Sequence, residues 1–131
     1  MFFADLTPYE YGRAIANSDV LNVGWLSRDF PFQTGATSAL FAERLEQLIQ
    51  DPVNLYRGIH CCAFCPPPPK AVTPKGLNII EPIPGTYGNG EIRVRGVGQI
   101  VYVAPVLVLH YVTKHGYLPP IEFVRAVEAT S

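Results

Sequence analysis

The sequence predicts a single small α+β domain, and three observations carry that expectation. The chain has 131 residues, one domain's worth. Hydrophobic residues are 48% and charged residues 16%, which is enough apolar material for a core and too little charge for a disordered tail or a coiled coil. Finally, the periodicity changes along the chain, from helical spacing near residue 40 to β-branched runs after residue 90 and back to helical spacing after residue 105.

Residues 1–36 read as an irregular, aromatic-rich arm wrapped on the core, with one short strand at Leu21–Leu26. Tyr9, Tyr11, Trp25, Phe30 and Phe32 supply its large side chains. A helix is expected over about 38–50. Thr37 or Ser38 serves as N-cap, Leu40, Phe41, Leu45, Leu48 and Ile49 form the apolar stripe, and Asp51-Pro52 is the stop. Tyr56–His60 reads as a short strand leading into a cluster of cysteines. Seven of the 13 prolines lie between Pro66 and Pro84, so residues 66–85 are expected to be a stiff excursion over the surface, with a short strand at Leu77–Ile80. Gly85–Gly90 reads as a turn, since no helix follows that would hold a phosphate.

Glu91–Arg95 and Gln99–Val103, joined by Gly96-Val97-Gly98, predict a hairpin over about 91–103, with Glu91 on a solvated edge. Pro105 is placed as the first residue of a helix running to His115, with Gly116 as its left-handed terminator. A last helix is expected over Pro120–Ala129, burying Ile121, Phe123, Val124 and Val127.

Composition also excludes functions. A net charge of −1 lacks the basic footprint of a general nucleic-acid binder. The longest apolar run, Val101–Leu109, is far short of the ~20 residues of a membrane span, and no secretory signal opens the chain, so a cytoplasmic protein is expected. No Ser-His-Asp order, HExxH or paired-carboxylate motif stands out, so no catalytic residues are assigned.

The chemistry concentrates in His60-Cys61-Cys62-Ala63-Phe64-Cys65. Three cysteines within five residues make a poor disulfide framework, because disulfides staple distant segments. Cys62 and Cys65 on a tight turn, with His60 two residues upstream, instead have the spacing of ligands to one tetrahedral metal ion, and mixed sulfur and nitrogen ligation suits zinc. Cys61 is left for packing. A redox dithiol fits poorly, because Pro66–Pro69 forbid the helix whose N-terminus would activate it.

A fourth ligand has to come from His110 or His115. The H-x4-H spacing is permitted for zinc, but it sets the rings about 140° apart unless the last turn unwinds at Gly116, and His115 sits at a helix end where its ring has a structural use beside the last carbonyls. His110 is therefore the expected partner of His60, Cys62 and Cys65, with His115 as the alternative. The competing account has the cysteines as small buried hydrophobes and the histidines satisfied by backbone groups.

The segments DLTPYEY from Asp5, LNVGWL from Leu21, RGIHCCAFC from Arg57, GEIRV from Gly90 and APVLVLHYVTKHGYLPPIEFVRAV from Ala104 resemble a family of small uncharacterised bacterial proteins. The resemblance covers most of the chain outside the proline excursion. It implies that HxCxxC and HYxxxH are paired hallmarks, and it supplies no activity. Small size, near-neutral charge, the lack of a catalytic constellation and the aromatics of the N-terminal arm make the expected function a non-enzymatic protein-interaction module with zinc as the stabiliser of its fold. Analogy with small bacterial proteins of this type suggests an immunity or accessory protein whose partner is a cognate toxin. The rival is a small metal- or thiol-dependent enzyme, with zinc on His60, Cys62 and Cys65, water in the fourth position and His110 as general base.

Overall fold

The computed structural model describes residues 2–9, 17–53, 59–62, 64–65, 70–72, 78–80 and 87–130; within its strands, the side chains of 9, 17–18, 59–61, 70–72, 78–80 and 87–89 are left aside. Among the described residues the elements are β1 (Pro8–Tyr9), β2 (Asn17–Asn22), α1 (Ala39–Leu48), β3 (Ile59–Cys61), β4 (Lys70–Val72), β5 (Asn78–Ile80), β6 (Tyr87–Asn89), β7 (Glu91–Arg95), β8 (Val101–Pro105), α2 (Val108–His115) and α3 (Ile121–Glu128). The fold is the expected α+β domain. The polyproline run at 66–69, the strand start at 56–58 and the first two residues of the expected Gly85–Gly90 turn lie outside the described residues, whereas Tyr87–Asn89, expected within that turn, form strand β6 paired with β3.

The frame is a mixed sheet of order β1-β2-β8-β7. Its firmest part is the predicted hairpin, in which β7 and β8 pair from Glu91↔Pro105 to Arg95↔Val101. The loop is longer than the glycines suggested: Gly96 N–H donates to Ile100 O at 2.7 Å, so five residues turn the chain and β8 is shifted two residues C-terminal. Pro105 consequently ends a strand and does not open a helix. Strand β8 is central, so Pro105's missing N–H sits at the strand's last position, where it interrupts no ladder.

Among its described residues the N-terminal segment is more ordered than the arm expected, and the strand read at Leu21–Leu26 lies at Asn17–Asn22, overlapping it at Leu21 and Asn22. Strand β2 pairs parallel to β8 (Val20↔Val101 to Asn22↔Val103), and β1 pairs antiparallel to β2. Trp25, expected among the arm's aromatics, is core: its indole Nε1 donates to Val103 O at 3.0 Å, and Phe3 meets it edge-on at 5.7 Å between ring centroids. This closes one face of the sheet with Trp25 and Val103. The other face, with Ile92, Val94, Tyr102 and Ala104, packs against the helices through Phe41, Leu45, Phe123 and Val127.

Glu91 does not lie on the solvated edge expected for it. It is fully buried, because the 51–53 segment covers the start of β7: Val53 and Glu91 exchange two backbone hydrogen bonds of 2.8 Å each. In α1 the Ser38 hydroxyl accepts from Phe41 N–H at 3.0 Å, which identifies Ser38 as the N-cap. Phe41 and Leu45 are buried, whereas Leu40, read as part of the apolar stripe, faces solvent. In α3, Ile121 is likewise exposed.

Gly24 fixes the exit of β2. Its φ is +79°, and a Cβ there would stand 2.9 Å from Val108 Cγ2 at the start of α2. Gly24→Ala therefore combines left-handed backbone strain with overpacking and is expected to cost about 1–3 kcal/mol, read as a lower denaturant midpoint at unchanged m-value. No described helix is long and apolar enough to cross a membrane.

Candidate metal centre

Two chain segments meet at the site. Strand β3 pairs antiparallel with β6, with His60 opposite Gly88. Because β6 runs through Gly90 directly into β7, this small sheet is hung from the main one. Cys62 leaves β3 and is buried, while Cys65, three residues on, is half-buried. Facing them is α2, whose buried face (Val108, Tyr111, Val112) packs into the core and turns its C-terminal end toward the cysteines.

The four donor atoms Cys62 Sγ, Cys65 Sγ, His110 Nε2 and His115 Nε2 lie within 4.8 Å of one another. Cys65 Sγ is 3.2 Å from His110 Nε2 and 3.4 Å from His115 Nε2. Cys62 Sγ is 3.3 Å from His115 Nε2, and the two imidazole Nε2 atoms are 3.2 Å apart. A tetrahedral zinc shell with bonds of ~2.3 Å to sulfur and ~2.0 Å to nitrogen has edges of about 3.3 Å between nitrogens and about 3.5 Å between sulfur and nitrogen. The observed edges match those values.

Hydrogen bonding does not account for the same geometry. His115 Nε2 has three partners at 3.2–3.4 Å. One imidazole nitrogen carries either one proton or one in-plane lone pair, enough for one good hydrogen bond. The four donors are close enough together to hold one metal ion.

Both histidines join because the end of α2 is not a regular α-turn. The Gly116 N–H reaches back to Tyr111 O, five residues away, and Tyr117 N–H bonds the same carbonyl at 3.0 Å. A five-residue hydrogen bond makes a wider turn that sweeps less angle per residue. His115 is thus carried round toward His110, to 4.9 Å between ring centroids. Gly116, at φ 68°, is what allows the chain to leave in this way. The 140° separation expected of an ideal helix does not apply here.

Phe64, inside the CxxC turn, walls the centre. It lies 5.4 Å from the His115 ring and edge-on to Tyr111 and Phe32 at 5.9 Å and 5.3 Å. Its backbone N–H points at Cys62 Sγ at 3.4 Å, a contact that stabilises a thiolate. Burial pushes the Cys62 thiol above its ordinary range. His110 is pushed the other way, by burial and then by His115 and Lys114, which favours the neutral, ligating imidazole. Tyr111, beside the cysteines, is raised to about 12 by burial and by the charges of Cys62 and Cys65.

Of the residues singled out in the sequence, Cys62, Cys65 and His110 are brought together, and His115, the alternative, stands with them. His60 and Cys61 contribute backbone to β3, and their side chains lie outside those described. Gly116, read from the sequence as the left-handed terminator, is the residue at which the last turn departs from the regular helix and lets His115 join His110.

Behind the site, Tyr117 is fully buried and donates its hydroxyl to Asp5 Oδ2 at 2.7 Å, while Asp5 Oδ1 accepts from Gly24 N–H at 2.9 Å. One carboxylate thus ties the N-terminal segment and the exit of β2 to the chain two residues beyond His115.

Fold and site together define a small α+β domain with a Cys2His2 cluster able to hold a metal ion. The chain belongs to the family described as Domain of unknown function (DUF7919), whose model matches residues 1–128. No curated protein and no solved structure matches it.

Proposed function

We propose that the domain is a non-enzymatic, cytoplasmic protein-interaction module whose fold is held by a structural zinc ion on Cys62, Cys65, His110 and His115. One observation supports the reading: four protein donors lie within 4.8 Å of one another, with four of their contacts at 3.2–3.4 Å, enough ligands to fill a tetrahedral shell without water. Structural zinc sites are closed in this way, whereas catalytic ones keep a position for water. The enzyme reading requires His110 as a free base, and the contact of its Nε2 with Cys65 Sγ at 3.2 Å argues against that. Two thiols kept as metal ligands also suit a reducing compartment.

An interaction role is supported by the surface around the N-terminal segment. A cleft of about 510 Å³ is lined there by Phe2, Phe3, Phe32 and Ile121 among others. Phe30, 49% exposed, stacks on Phe2 at 4.1 Å, and Ile121 is 55% exposed. Aromatic anchors of this kind are what protein interfaces favour. The partner is another protein; a toxin neutralised by an immunity protein is one concrete form.

The zinc is tested by removing it. Chelation should lower the melting midpoint and blur the cooperative transition, and one equivalent of zinc should restore both, because in such domains metal-binding energy is folding energy. Reloading at pH 7 should release at least one proton per chain, since the raised Cys62 thiol must deprotonate to bind. A melting curve that is unchanged after metal loss, verified by elemental analysis, would overturn the structural role.

A further inference from the structure

A second site lies away from the metal centre, between the tip of the β7–β8 hairpin and the C-terminal half of α3. A cavity of about 370 Å³ opens there, within the ~300–1,000 Å³ range of small-ligand pockets. Its walls are apolar: Val97 and Ile100 from the hairpin turn, Ala126 and Ala129 from the helix. Two guanidinium groups stand on it, Arg95 from the last position of β7 and Arg125 from α3, together with Glu122.

The charge arrangement is selective. Arg95 and Arg125 are exposed on two different elements, and among the described residues neither has an ion-pair partner. Two guanidiniums against one carboxylate leave a single net positive charge at the mouth of an apolar cavity. Tyr102, buried at the base, has its phenol pushed up by burial and then by the Glu122 charge, so it remains a hydroxyl donor at neutral pH. Arginine's planar fork suits a carboxylate head, and Glu122 repels a second anionic group.

We propose that this cavity binds a free monocarboxylate with an apolar body, its carboxylate held between Arg95 and Arg125 and its hydrocarbon laid against Val97, Ile100, Ala126 and Ala129. Nothing in this depends on the metal centre.

Octanoate is the probe, titrated into the metal-loaded protein and followed by amide chemical shifts. Saturable shifts are expected at Gly96, Val97, Ala126 and Ala129, with octanol and octylamine at least about tenfold weaker, since a charge-assisted hydrogen bond carries roughly that much discrimination. Arg95→Gln and Arg125→Gln should each weaken octanoate by about tenfold on the same grounds. Ala129→Trp, at an exposed position, should fill the cavity and abolish the shifts while leaving the rest of the spectrum in place. Absence of saturable shifts in the folded protein, equal binding of octylamine, or undiminished binding by Ala129→Trp would each overturn the proposal. Tighter binding of an acetylated dileucine peptide with a free C-terminus would overturn the assignment to a free acid in favour of a chain terminus.

Discussion

His115→Ala and His110→Ala are expected to lose zinc to the same degree, while His60→Ala keeps it. Each of the first two removes one of four donors, and the penalty should exceed the 10–100-fold loss in metal affinity typical of outer hydrogen-bonding partners. Structural zinc in small domains supplies about 10–16 kcal/mol of apparent binding energy, comparable to the whole stability of about 5–15 kcal/mol of an ordinary domain. Each variant should therefore unfold at a midpoint close to that of the chelated wild type. Equality is the informative part, because an ideal helix would have singled out one of the pair. His60→Ala leaves Cys62, Cys65, His110 and His115 in place, which are the four donors a tetrahedral site needs. Competition titration against a chelator of known affinity measures all three.

Tyr117→Phe should cost about 1–3 kcal/mol, the range for losing a hydrogen bond to a half-buried carboxylate. The ring stays and only the hydroxyl bonded to Asp5 at 2.7 Å is removed. Tyr117→Ala should cost a further ~3–5 kcal/mol as the aromatic volume is emptied from the core. The same group makes the domain sensitive to alkali. Burial and the facing Asp5 charge hold the Tyr117 phenol well above its ordinary value. Its folded pKa is raised, so its contribution is fully present below the unfolded value of about 10 and is lost as pH rises above it. Chemical denaturation between pH 8 and 11 should show wild type losing stability steeply and Tyr117→Phe losing less of it.

Much of this architecture is legible in the residues themselves because it is set by local chemistry. The Ser38 cap and the spacing of Phe41 and Leu45 specify α1, and alternation along Ile92, Arg93, Val94 and Arg95 specifies β7. CxxC within a turn specifies the two sulfur donors. What was missed depends on partners distant in sequence. The parallel pairing of β2 with β8 joins residues about 80 positions apart, so the strand expected at Leu21–Leu26 overlaps the real one only at Leu21 and Asn22. Glu91 looks like an edge acid until the 51–53 segment bridges over it. Pro105 reads as a helix start because prolines favour that position, yet it closes a strand equally well. The inclusion of His115 turns on the end of α2, where Gly116 N–H and Tyr117 N–H both bond the Tyr111 carbonyl, five and six residues back instead of four. Helical periodicity assumes the regular turn and so separates two side chains that the real turn brings together.

X-ray absorption at the zinc edge of protein purified without chelators tests the central claim most directly. The expected result is one zinc per chain with two sulfur neighbours at about 2.3 Å and two imidazole nitrogens at about 2.0–2.1 Å, and no further oxygen. Absence of metal, or a shell with a water oxygen in place of one imidazole, would contradict a closed structural centre.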